Sequence, residues 1–209
     1  MKMAKFGEVM SIMLKKFKTI FQTLMFVVVT LFCVGVFYFY IEDGKMRAEE
    51  ITPKKPNFEH TNNQQFLDNV LQCVDYVYWK NKDFEKVNVE LLLAQASLES
   101  GWGDSRFAKV GKNLFGIRTY DLQEPHMLPS NKPKKWGVKV YEHECYSVEH
   151  YIKILNNGTN FEDYRKLRED GIDDPMILVE TLGAYASDKD YFPKIKSIIK
   201  RIRKSYKIK

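Results

Sequence analysis

Only three cysteines and four histidines occur in the 209 residues. The pattern His-Glu-x-x-His is absent, and the spacing of His143, Glu144, Cys145 and His150 matches no zinc signature, so no metal and no cofactor are expected. A zinc-dependent amide-cleaving enzyme therefore stands only as an alternative. Cys145 with His150 raises a second one, a thiol amidase, but a nucleophilic cysteine needs a base beside it in space, which spacing does not supply. Cys33 lies inside an apolar run, which leaves Cys73 and Cys145 either bridged or buried as free thiols. Internal repeats and low-complexity segments are also lacking. With 44% hydrophobic and 29% charged residues the composition is that of a folded chain with one globular domain, not of a disordered one.

The most telling absence is of charge, between Thr19 and Ile41. About 20 apolar residues suffice for a helix to cross the hydrocarbon of a bilayer. A soluble domain of this size rarely hides a helix that is apolar on every face. A cleaved signal peptide is disfavoured because the run is long and ends in Phe37-Tyr38-Phe39-Tyr40 instead of small residues. Residues 19–41 are thus expected to be a transmembrane signal anchor behind a basic tail, residues 1–18. Lys2, Lys5, Lys15, Lys16 and Lys18 precede it, and Glu42 and Asp43 follow, which predicts a cytoplasmic N-terminus and an extracytoplasmic remainder. Residues 42–59, with Pro53 and Pro56 and no apolar periodicity, read as a free linker. The net charge of +6 gathers in the N-terminal lysines and in Lys194 to Lys209, a tail suited to wall polymers or lipid headgroups.

A domain is expected from His60 to Lys209, mainly α with a small β or loop lobe. Thr61 with Gln64 resembles a capping box ahead of a helix carrying Phe66, Leu67, Val70, Leu71, Val74 and Val77. Asn88 can cap a second helix, Val89 to Ser100, which has almost no polar face and so must be central; Gly101 ends it. Residues 117–141 lack helical period and contain Pro125, Pro129 and Pro133, whereas 136–141 alternate like a strand. Helices are predicted again over 147–155, around 161–168, over 176–182 after Asp174-Pro175, and over 191–206.

Glu99 ends the central helix on the face of Leu92 and Ala96. Burial and the negative end of the helix dipole both oppose its ionisation, which suits a general acid near neutral pH. Trp102, between two glycines, offers an apolar wall or a sugar-stacking face. The segment 93–103, Leu-Ala-Gln-Ala-Ser-Leu-Glu-Ser-Gly-Trp-Gly, followed by Asn113-Leu114-Phe115-Gly116-Ile117, resembles the signature of the glucosaminidase family of peptidoglycan hydrolases. Gly183-Ala184-Tyr185-Ala186-Ser187-Asp188 with Tyr191 is similar to the closing motif of that family, and 147–156 to its intervening helix. The likeness runs in consistent order from about residue 60 to 205.

The resemblance implies a lysozyme-like fold and hydrolysis of β-1,4 bonds at N-acetylglucosamine, of the endo-β-N-acetylglucosaminidase type. It implies Glu99 as proton donor, Tyr185 as the active-site tyrosine, and peptidoglycan glycan strands rather than nucleic acid as partner. Trp102, Asn113 and Phe115 are the candidate substrate contacts. A second carboxylate would come from the lobe after residue 116, where the family's usual Thr-x-Glu-Tyr is absent. Of Asp121, Glu124 and Glu142, position favours Glu124, and a route through the substrate's own acetamido group needs none of them. A third alternative is an inactive wall-binding or assembly module.

Overall fold

The computed structural model describes residues 2–129, 135–183 and 188–208, and it divides into two compact units, 1–52 and 53–209. The first is one helix, α1, from Lys2 to Ile51. Its stretch Met13–Gly44 has a mean hydropathy of 2.5 in its most apolar window, with none of that window buried, so it is long and apolar enough to cross a membrane. Helix also continues beyond Ile41, because residues 45–50, Lys-Met-Arg-Ala-Glu-Glu, are strong helix formers and nothing breaks them before Pro53.

The expected free linker over 42–59 is therefore corrected on both sides. Its first part is helical, and its last part packs onto the domain: Pro56 is buried, Phe58 lies against the core, and Asn69 donates a 2.9 Å hydrogen bond to the Glu59 carbonyl.

The second unit is built around α3, Val89–Ser100. Leu92, Leu93, Ala94 and Ala96 are fully buried there, and each leucine contributes about 1.5–3 kcal/mol of burial. Asn88 caps it by accepting from the Leu91 amide at 2.9 Å, and Gly101 closes it in the left-handed region at φ 59°. Helix α2, Asn63–Lys80, begins one residue later than the sequence suggests. Asn62 is its cap, while Gln65 reaches back to the Thr61 amide at 2.8 Å.

A four-residue α4, Arg106–Lys109, leads into a three-stranded antiparallel sheet in the order β1, β3, β2. Its strands are β1, Arg118–Thr119, β2, His126–Met127, and β3, Gly137–Lys139, with Arg118 opposite Val138 and His126 opposite Lys139. This small sheet is the expected non-helical lobe.

Helix α5, Glu144–Asn157, starts three residues before the predicted one. Its cap is the His143 ring, whose Nδ1 accepts from the Cys145 amide at 3.1 Å. A disulfide between Cys73 and Cys145 ties α5 to α2. Helix α6, Glu162–Glu169, and the short α7, Pro175–Leu178, with Asp174 as cap, lead through a 3₁₀ turn to α8, Tyr191–Ser205. Fully buried Ile195, Ile199 and Ile202 mark the inner face of α8, whose principal packing partner is α3.

Candidate active site

Glu99 lies half-buried one residue from the C-terminal end of α3. Burial pushes its carboxyl above the ordinary value; a hydrogen bond from Tyr191 and the charge of Arg118 pull the other way and are outweighed. The two partners come from different elements further along the chain, Arg118 from β1 and Tyr191 from the first turn of α8.

The polar atoms behind Glu99 form a buried chain. The Tyr151 hydroxyl of α5 donates to Gln95 Oε1, and Gln95 Nε2 donates to the Tyr191 hydroxyl at 2.7 Å. Gln95, fully buried in an otherwise apolar helix, is thereby satisfied at both ends of its amide. Burial raises the Tyr191 hydroxyl far above its ordinary value, with the adjacent Glu99 carboxyl acting in the same direction, so the hydroxyl stays protonated and serves as a donor.

The turn at 113–116 is a clamp on this arrangement. Asn113 Nδ2 donates to the carbonyls of Ile117 at 2.9 Å and Lys139 at 2.8 Å, and its Oδ1 accepts from the amides of Phe115 and Ile117. Phe115 stacks on Tyr151 with ring centroids 4.1 Å apart. Gly116 adopts φ +63°, and a methyl placed on it would lie 3.6 Å from Glu99 Oε2, so this backbone passes directly beside the carboxyl. Asn113 and Phe115 are each only 1% exposed. The expectation that they contact substrate is corrected: their surfaces are consumed inside the domain, and they act on the site by fixing the turn.

Trp102 is likewise engaged. It holds φ 60°, unusual for a residue with a side chain, and its ring packs near Phe66 and Tyr206 with the Arg201 guanidinium 5.1 Å from its centroid. On the lobe, Arg118 stacks over Trp136 at 4.1 Å, and the same guanidinium charge acts on Glu99. The sequence reading missed Tyr191, Gln95, Arg118 and Trp136 as site residues. Tyr191 and Gln95 were inside the recognised blocks; the other two carried no local signal beyond residue type.

Glu124 belongs to a different cluster. Its Oε2 accepts from Lys139 Nζ at 2.8 Å and Thr119 Oγ1 at 3.0 Å, and these bonds hold its carboxyl below the ordinary value. The groups that act on Glu99 are Tyr191 and Arg118, whereas those that act on Glu124 are Lys139, Thr119 and His150, so the two carboxyls have no such neighbour in common. Asp121 and Glu142 are exposed, and Tyr185 lies outside the described residues.

The alternative chemistries find no support at their own residues. Both sulfurs near His143 are spent in the disulfide, His143 Nε2 donates to the Pro56 carbonyl at 3.0 Å, and the His150 Nδ1 is paired with the Tyr141 hydroxyl at 2.7 Å. Cys145 accordingly offers no thiolate.

The chain is 27% identical to the exo-glucosaminidase LytG of Bacillus subtilis (strain 168) over 166 residues, which span 74% of this chain and 56% of that protein. Among solved structures it is similar to the catalytic domain of the autolysin Auto from Listeria monocytogenes, with TM-score 0.52, 24% identity and coverage of 78% of this chain and 94% of that one. It is also similar to an N-acetylmuramoyl-L-alanine amidase from Staphylococcus aureus, with TM-score 0.53, 23% identity and coverage of 72% and 46%. These structural likenesses are of fold, a mainly α, lysozyme-like domain with a small β lobe. Residues 77–204, more than half of the chain, match the glucosaminidase family, described as mannosyl-glycoprotein endo-beta-N-acetylglucosaminidase, and the chain belongs to that family.

Proposed function

We propose that this chain is a membrane-anchored peptidoglycan hydrolase that cleaves β-1,4 glycosidic bonds at N-acetylglucosamine, with Glu99 as the general acid. The observation that carries the reading is the half-buried Glu99 carboxyl with its raised pKa, set between the Gly116 backbone, Tyr191 and Arg118. Such a group holds its proton toward neutral pH and can pass it to the leaving glycosidic oxygen as the bond to the sugar carbon breaks. Positive charge then develops on the ring whose anomeric carbon has lost that oxygen, and the ionised Glu99 beside it stabilises that charge. Glu124 is held by Lys139 and Thr119, which favour its ionised form but spend its Oε2 on them. We adopt a route in which the 2-acetamido group or a water meets the sugar carbon. Tyr185 remains the tyrosine that the family resemblance assigns to orienting it.

We read α1 as the anchor, with the basic tail on the cytoplasmic side and residues 53–209 on the wall side. LytG, by its name an exo-glucosaminidase, and the endo action in the family description point to the same bond class and differ in where a strand is cut.

Digestion of purified peptidoglycan by residues 53–209, followed by borohydride reduction and mass spectrometry, tests the reading. Reduced N-acetylglucosamine at the new ends is expected, with internal cuts giving long fragments and exo action giving short terminal ones. Glu99→Gln should lose at least about a hundredfold in turnover, whereas Glu124→Gln should keep far more activity than Glu99→Gln. Free stem peptides would assign the protein to the amidases. Binding to wall without any cleavage would make it an inactive module.

A further inference from the structure

We propose that the outer face of α8 is a docking surface for the carboxylates of peptidoglycan stem peptides, a contact separate from the cleavage site at Glu99. The proposal rests on the reading of peptidoglycan as the substrate and adds to it a second point of attachment. Its basis is a row of like charges. With Ile195, Ile199 and Ile202 buried, α8 leaves Lys200 and Lys204 exposed one turn apart, in line with half-buried Lys196. Residues four apart on a helix are neighbours about 6 Å along its axis, so these ammonium groups repel one another. Elsewhere in the domain lysines meet acids: Lys80 pairs with Glu149, Lys112 with Glu144 and Lys139 with Glu124. At the edges of the α8 face Lys196 pairs with Glu180 and Arg203 with Glu90. Between them the helix itself contains no acidic residue, and among the described residues no carboxylate forms an ion pair with Lys200 or Lys204. The negative end of the helix dipole offsets the charge of Lys204 in the last turn but does not reach Lys200.

An uncompensated row of this kind is complementary to a repeating anion. Stem peptides carry carboxylates at intervals along a glycan strand, and lysine, a point charge on a flexible stem, suits groups whose orientation varies from one stem to the next. The other flank of the face ties it to the turn that follows Glu99, because the Arg201 guanidinium lies 5.1 Å from the ring centroid of half-buried Trp102. A lipid surface fits less well. A helix that lies in a membrane interface inserts its apolar side, and the isoleucines of α8 are already spent on the core.

The test uses residues 53–209, a compact unit with its own core, in co-sedimentation with purified peptidoglycan on ice. Lys200→Gln with Lys204→Gln should bind roughly three- to tenfold more weakly than the parent and depend less on salt. Lys82→Gln with Lys86→Gln, which removes the same charge from the loop between α2 and α3, should stay within about twofold of the parent. Peptidoglycan whose carboxyls have been converted to amides should hold the parent no better than native polymer holds the Lys200, Lys204 variant, and that variant should lose little more on it. Thermal melting checks the fold, and the amidated polymer gives an answer from the parent alone. Equal binding of the parent to native and amidated polymer overturns the proposal, as does a folded Lys200, Lys204 variant that binds like the parent. Sedimentation with phosphatidylglycerol vesicles but not with peptidoglycan would also overturn it and turn the face toward a membrane. Since binding is read without cleavage, failure of the hydrolase reading would show in the digestion assay and not here.

Discussion

At the scale of single residues, the site works against the stability of the domain. Glu99 has a higher pKa folded than unfolded, so folding takes up a proton there, and its contribution becomes unfavourable as pH rises from the unfolded value through the folded one. Glutamine keeps the shape and an acceptor for Tyr191 but never ionises. Glu99→Gln should therefore melt at the same temperature as the parent near pH 4 and higher than it near pH 8, by about 2–4 °C for each kcal/mol recovered. Melting curves at the two pH values check this, and an equal difference at both would remove burial as the cause of the shift. Glu99 was legible in the sequence because its signals are local: an apolar helix, a glycine stop and a recognisable motif around both. Tyr191 carried no such signal as a partner, since its role depends on α8 packing across α3, and the neighbours of half-buried Trp102, which are Phe66, Tyr206 and Arg201, come from distant positions that its flanking glycines do not announce.

Secondary-structure elements show the same division between local and distant causes. Asn88, Gly101 and Asp174 were identifiable as helix boundaries because a cap bonds within three residues of itself. The start of α5 was missed because its cap is an imidazole, a rare choice, and the helical end of the supposed linker was missed because Pro53 rather than Glu42 marks the break. Asn113 is the element-scale counterpart of the buried tyrosines: four hydrogen bonds from one side chain hold the turn at 113–117 and fasten it to β3. In Asn113→Ala two carbonyls and two amides lose their partner inside the domain. The expected cost is about 2–4 kcal/mol, larger than for an exposed asparagine because the stranded groups are shielded from water. Activity should fall further than stability alone explains, since Gly116 is carried by the same turn. Chemical unfolding and turnover measured on the same preparation separate the two effects.

For the whole molecule, the disulfide is the feature that links fold to location. Cys73 and Cys145 are 72 residues apart, and the loop they close contains α3, Glu99, the clamp turn and the entire sheet. Closing a loop of that length in the unfolded chain stabilises the fold by about 4 kcal/mol on the chain-entropy account. Such a bond persists in an oxidising compartment and not in a reducing cytosol. That agrees with the proposed topology, in which the lysines before α1's apolar stretch stay inside and the second unit is exported. Because the Pro56 carbonyl is bound by His143 and Phe58 sits on the core, the folded domain takes in the segment from Pro56 onward rather than starting at His60. A reductant should consequently lower the melting temperature of residues 53–209 by roughly 10 °C. The double variant Cys73→Ala, Cys145→Ala should melt near the reduced parent and be insensitive to reductant. If reductant leaves the parent unchanged while mass spectrometry finds both thiols free, the bridge does not form and the argument from redox chemistry to an extracytoplasmic domain falls with it. A parent that does respond, joined to a variant that does not, would locate about 4 kcal/mol of the stability in one covalent contact between α2 and α5.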